Sequence, residues 1–145
     1  MCIIVDANVA HEFGRALTEE ALAIFEWLMR DGGTIAAGGR VKRELVKTRF
    51  RNIYHTLLLA GRLYQYDDDE VDRVEANVMA QLDLRSDDPH VIALARVSLC
   101  RLLFSRDQDL HADFCNPTIL RPRGRVYQDK SHHHLLRSAR ACRKP

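Results

Sequence analysis

Four carboxylates recur at comparable places in this sequence: Asp6, Glu44, Asp88 and Asp107. Asp6 ends the apolar run Cys2-Ile3-Ile4-Val5. Glu44 lies one turn into a helical pattern that follows the apolar run Thr34-Ile35-Ala36-Ala37. Asp88 precedes Pro89 at the head of another helical pattern, and Asp107 follows the run ending at Ser105. If these runs are strands of a parallel sheet, their carboxyl ends share one edge and the acids meet there. Two unit charges about 4 Å apart repel by about 1 kcal/mol in water and by about 4 kcal/mol at an effective dielectric of about 20. Four such groups hold protons, splay apart or take up a cation. Mg²⁺ or Mn²⁺ suits an all-oxygen donor set. Such an ion acidifies a bound water and polarises a phosphate oxygen. Each acid also has a plainer reading. Asp6, Asp88 and Asp107 can cap the turns or helices after them, and Glu44 can pair with Lys47 on a helix surface. No motif for a Ser-His-Asp triad is visible.

The elements that must position these acids follow from periodicity. Residues 2–5 read as a short buried parallel strand. Leu17, Ala21, Ile24, Phe25 and Leu28 recur at helical spacing, which predicts a helix over 18–30 capped by Thr18. Asp31-Gly32-Gly33 ends it, and Thr34–Ala37 follows as a strand, giving a βαβ unit. Val41–Lys47 begins a helix. Ile53, Leu57, Ala60 and Tyr64 mark a second, and Val71, Val74, Val78 and Leu82 a third. Val91, Ala95 and Leu99 share a helical face after Pro89. Arg101–Ser105 reads as a strand, 107–114 as a helical turn and Pro117–Leu120 as a last strand. The alternation predicts a three-layer α/β/α sandwich around a mostly parallel sheet.

With these elements in place, the sequence resembles the PIN-domain nucleases. The resemblance rests on IIVDANVA, KREL, DDPHVIALA and LLFSRDQDL, and it spans about residues 2–120. It implies a Mg²⁺- or Mn²⁺-dependent endonuclease, most often acting on RNA, with small prokaryotic members serving as toxins restrained by a partner antitoxin. In that carry-over Asp6, Glu44, Asp88 and Asp107 hold the metal and carry catalysis, with Asp109 as a fifth acid. Asn8 and Ser105 orient ligands or water around them. Asp87 adjoins Asp88, so either could be the ligand. Residues 1–120 are then the nuclease domain and 121–145 a basic extension outside the family pattern. The extension includes His132-His133-His134, a solvated or phosphate-facing stretch in preference to a zinc site.

A phosphodiester substrate needs cations around such a cleft. Arg40, Lys42, Arg43, Lys47, Arg49 and Arg51 flank Glu44, and Arg106 adjoins Asp107, so these are the candidate phosphate contacts. Tyr54, Tyr64 and Tyr66 could stack on bases, though aromatics at helical spacing more often fill a core. The 145 residues suit one domain, with 46% hydrophobic and 29% charged residues. Net charge is only +2, but it is segregated into the basic run 40–51, the acidic run DDDEVD at 67–72 and the basic end of the chain. That pattern suggests a polyanionic partner. No apolar stretch is long enough to span a membrane and no leader is visible, so a cytoplasmic protein is expected. The scattered cysteines (Cys2, Cys100, Cys115, Cys142) read as reduced thiols rather than a zinc site or disulfide framework. RNA is the expected substrate with DNA left open, and a homodimer is possible. The rival readings are a haloacid-dehalogenase-type phosphatase, whose D-x-D motif is not met because Asn8 holds the second position, and a PIN-like fold that only binds.

Overall fold

A computed structural model describes all 145 residues. Five strands form an all-parallel sheet: β1 (Cys2–Val5), β2 (Thr34–Ala37), β3 (Leu63–Gln65), β4 (Leu102–Phe104) and β5 (Arg125–Tyr127). Their spatial order is β3-β2-β1-β4-β5. The helices are α1 (Glu19–Arg30), α2 (Gly39–Leu45), α3 (Arg51–Leu59), α4 (Asp68–Gln81), α5 (Pro89–Ser98), α6 (Gln108–Phe114) and α7 (His133–Ser138). Short 3₁₀ segments cover Ala7–Phe13 and Lys130–His132. The architecture is the expected three-layer α/β/α sandwich. One layer holds α2, α4 and α5 packed against one another, and another packs α1 against α7 and both 3₁₀ segments.

The central strands are buried on both faces, which is why β1 and β4 read as unbroken apolar runs rather than alternating ones. Ile3, Ile4, Ile35, Leu103 and Phe104 are fully buried. The predicted cap of α1 is present, since Thr18 accepts a hydrogen bond from the Ala21 N–H at 3.2 Å. The sheet's order reverses between β1 and β4. Val5 pairs with Phe104 there, and the Asp6 N–H continues the ladder to the Phe104 carbonyl at 3.0 Å.

Four local expectations are corrected. Tyr64 does not continue the helix of Ile53 and Leu57. Gly61 at φ +72° turns the chain after α3, and Leu63–Gln65 pairs with β2 instead. Leu99 leaves the α5 face, because it is the left-handed residue ending that helix (φ 64°) and is exposed. Pro117–Leu120 is a turn: Asn116 accepts from the Ile119 and Leu120 N–H groups through its carbonyl and from the Thr118 N–H through its side chain. The fifth strand lies beyond it, so the sheet continues past residue 120, with Val126, Tyr127, Leu135 and Leu136 buried in the core. Finally, the cysteines are not all free thiols. Cys2 and Cys142 form a disulfide that ties the end of the chain to β1.

Candidate functional site

The reversal of strand order opens a crevice beyond the carboxyl ends of β1 and β4, the usual place for a site in a parallel sheet. Asp6 emerges there from β1 and is only 4% exposed. Ser105, at the end of β4, donates its hydroxyl to Asp6 Oδ2 at 2.7 Å and accepts the Asp107 N–H at 3.1 Å. His111 Nε2, 2.6 Å from the Ser105 carbonyl, braces the same turn. Burial pushes the Asp6 carboxyl above its ordinary range, and Asp107 and Glu44 push the same way. The Ser105 hydroxyl and the Asn8 backbone counter them. The Asn8 residue itself is exposed.

Asp88 has the most perturbed carboxyl. It holds the N-cap position of α5, with Pro89 next, yet its side chain bonds no helix N–H. The simple capping reading therefore fails for this residue. Its carboxyl instead interacts with Asp107. Burial, then the charges of Asp6 and Asp107, that contact and finally Glu44 push its pKa up to about 7. Asp107 does cap its helix, accepting from the Asp109 and Leu110 N–H groups at 3.0 and 3.2 Å through Oδ1. Asp87 is exposed and offers only its carbonyl, to Arg40 at 3.4 Å. Of the two adjacent acids, Asp88 faces the cluster. Asp109 is exposed in the first turn of α6 and does not join it.

Glu44 lies on the near side of the crevice and does not pair with Lys47. Arg40 Nε is 3.0 Å from its Oε1, and His90 Nε2 is 3.2 Å from its Oε2. His90 also comes within 3.9 Å of Asp88 Oδ1, linking the two acids. It is 1% exposed, and its Nδ1 has no partner. Burial lowers its pKa, so the ring favours the neutral form. Glu75 of α4 approaches Arg40 at 3.6 Å and is raised by burial. Neither residue belongs to the line of acids that the sequence pattern picks out. The signal was present: Glu75 occupies a core register between Val71 and Val78. His90 sits on a helix turn that is otherwise apolar. Buried Asp113 was missed too. It accepts from the Arg85 N–H, the Ser86 N–H and the Ser86 hydroxyl at 3.0, 2.9 and 2.7 Å, fixing the loop that presents Asp88.

The donors at the centre are carboxylate oxygens, the chemistry a hard divalent cation requires. They are loosely spaced. The one group of three or more potential ligands with all donors within 4.8 Å of one another is formed by cysteines, not by these acids. Opposite ligands on Mg²⁺ lie about 4.2 Å apart, from bonds of about 2.1 Å. The set thus fits an ion that keeps waters between itself and part of its ligands, as Mg²⁺ habitually does.

The surrounding cations sort into two groups. Lys42 pairs with Asp68, and Arg43 holds Asp72 through two contacts of 2.9 and 3.2 Å. Arg106 clasps buried Glu12 at 2.9 and 3.1 Å, and Arg40 holds Glu44. These four candidate phosphate contacts are therefore engaged within the fold. Much of the charge segregation seen in the sequence is α2 answering α4. Lys47, Arg49 and Arg51 form no ion pair, and with Arg15 they line a groove of about 560 Å³. An adjoining space of about 340 Å³, bounded by Arg15, Arg49 and His11, reaches Ala7, the residue after Asp6. Arg15 was missed because it lies far in sequence from the other three. Tyr54 and Tyr66 are core residues, each 2% exposed, so neither offers a stacking face. The three adjacent histidines diverge: His132 accepts from the Gln128 N–H, His133 stacks on Tyr127, and His134 meets the Ser131 carbonyl. Against known protein families, curated proteins and solved structures, the chain shows no match.

Proposed function

We propose that this protein is a Mg²⁺- or Mn²⁺-dependent endonuclease acting on single-stranded RNA. The observation that carries the reading is Asp88, a carboxyl turned away from its capping role into the charges of Asp6, Asp107 and Glu44 at the switch point of the sheet. A fold accepts such repulsion when a cation relieves it. In this reading Asp6, Asp88 and Asp107 hold the ion and Glu44 lies behind them, anchored by Arg40 and His90. When bound, the ion acidifies an attacking water and neutralises charge on the phosphate. Ser105 keeps the Asp6 carboxylate in one orientation, as outer-sphere partners do. To serve as a ligand, Asp88 would release its proton to solvent. The groove of Arg15, Lys47, Arg49 and Arg51 attracts the phosphate backbone without reading bases and leads it toward the end of β1.

The deciding experiment incubates the purified chain with a generic single-stranded RNA, a single-stranded DNA and a chromogenic phosphate monoester, with Mg²⁺, Mn²⁺ or a chelator. Internal RNA cleavage that needs the ion and disappears in Asp6→Asn and Asp88→Asn is the expected result. Monoester hydrolysis in its place identifies a phosphatase. RNA retention without cleavage under any of these ions identifies a binding module.

A further inference from the structure

The carboxylates occupy the carboxyl end of the sheet, and a second cluster occupies the amino end. Cys2 opens β1, Cys100 lies just before β4, and Cys142 comes from the end of the chain. All three sulfurs lie within 4.8 Å of one another. Cys2 and Cys100 are fully buried and Cys142 is partly exposed. In the oxidised chain Cys2 and Cys142 are bonded, and Cys100 remains a thiol beside them. We propose that in the reduced protein these three thiolates form a site for a soft d¹⁰ cation, Zn²⁺.

The arrangement survives loss of the disulfide because other bonds hold Cys142 in place. The Arg143 N–H donates to the Ser98 carbonyl at 2.8 Å, and its Nε donates to the Val97 carbonyl at 3.0 Å. The Tyr66 hydroxyl donates to the Arg143 carbonyl, and the Arg143 guanidinium lies over the Tyr66 ring and pairs with Glu70. Cys2 is held by the β1 ladder. The Cys100 N–H donates to the Ser98 hydroxyl at 3.1 Å. A tetrahedral Zn²⁺ with Zn–S bonds of about 2.3 Å places its sulfurs about 3.8 Å apart, within the 4.8 Å that bounds the three sulfurs, and Cys2 and Cys142, bonded in the oxidised chain, must part to that distance on reduction. The partly exposed Cys142 side leaves the fourth position to water. Burial pushes the Cys100 thiol up to about 12, against which the Leu102 backbone, the Arg101 guanidinium and the Met1 amine pull down, so deprotonation of Cys100 must be driven by the ion itself; three thiolates around one Zn²⁺ carry a net charge of −1. A phosphine and one water supply two electrons and two protons, turning the Cys2–Cys142 bond into two thiols and leaving the phosphine oxide, and these thiols and Cys100 then release three protons to solvent as Zn²⁺ binds.

The test uses the full chain, reduced with a phosphine and titrated anaerobically with Co²⁺, then with Zn²⁺. Expected is a near-ultraviolet sulfur-to-cobalt charge-transfer band that saturates at one equivalent and is displaced by Zn²⁺ but not by Mg²⁺. Zn²⁺ should also protect three thiols from alkylation while Cys115 stays reactive. The band should be lost in Cys100→Ser and in Cys142→Ser, with Cys115→Ser unchanged. Cys142 lies in the terminal segment, so its variant decides the matter even if replacing buried Cys100 disturbs folding. A reduced wild type with no such band, or a band that persists in Cys142→Ser, overturns the proposal. Co²⁺ held by carboxylates gives no sulfur band, so the outcome is independent of the nuclease reading.

Discussion

At the scale of single residues, Asp88 sets the pH behaviour. Its pKa rises from 3.8 to about 7 in the fold, so it binds its proton more tightly there than in the unfolded chain. Between about pH 4 and pH 7, unfolding then releases a proton, and metal-free stability falls as pH rises through this window. Mg²⁺ should reverse the trend, so thermal melts are expected to show a larger Mg²⁺-induced rise in Tm at pH 8 than at pH 5. At pH 8, where Asp88 is ionised, Asp88→Asn removes one charge from the cluster. It should raise the metal-free Tm by several degrees while abolishing both the Mg²⁺ response and RNA cleavage, a trade between stability and activity. Ser105→Ala leaves the donors in place but frees Asp6 to rotate. Calorimetric titration should show about 10–100-fold weaker metal binding, the usual scale for an outer-sphere partner.

At the scale of elements, the docking of α2 on α4 places the Glu44 side of the site. The turn into α2 needs glycine at position 39. Its φ is +56°, and a Cβ there would lie 2.7 Å from Val71 Cγ1. Its N–H donates to Asp68 Oδ1 at 2.9 Å, and Lys42 and Arg43 complete the seam with Asp68 and Asp72. Gly39→Ala combines left-handed strain with overpacking and should cost about 1–3 kcal/mol in urea denaturation. Because α2 carries Arg40 and Glu44, the same variant should also weaken metal binding without touching a ligand. Lys42 and Arg43 therefore serve the seam, which the charge pattern of the sequence alone did not distinguish from a substrate surface.

At the scale of the whole molecule, two features span distant parts of the chain. The basic groove joins Arg15, before α1, to Lys47, Arg49 and Arg51, between α2 and the start of α3. If all four cations contact phosphates, log K for single-stranded RNA should fall against log salt with a slope of about −3. Arg49→Ala with Arg51→Ala should reduce that slope by about 1.5 and leave the Mg²⁺-induced Tm shift intact, as filter binding across a salt series would show. The other feature is the Cys2–Cys142 disulfide, which closes a separation of 140 residues. Reduction should lower the unfolding free energy by about 2–5 kcal/mol, and Cys142→Ser should make the urea midpoint insensitive to reductant.

The sequence by itself determined the alternation of strands and helices, the first βαβ unit and the line of acids at strand ends. Local periodicity and end signals such as Thr18, Pro89 and Gly32 specify these without reference to distant contacts. The edge strands β3 (Leu-Tyr-Gln) and β5 (Arg-Val-Tyr) were beyond that reach: unlike β4, equally short but wholly apolar, each mixes polar and apolar residues over too few positions to separate a period of 2 from one of 3.6. Tertiary structure alone decided the partners. A lysine carries the same charge whether it faces Asp68, as Lys42 does, or an open groove, as Lys47 does. Likewise, Cys2 and Cys142 cannot be matched until the sheet brings the first strand and the end of the chain together, since pairing depends on distance in space and the sequence records only distance along the chain.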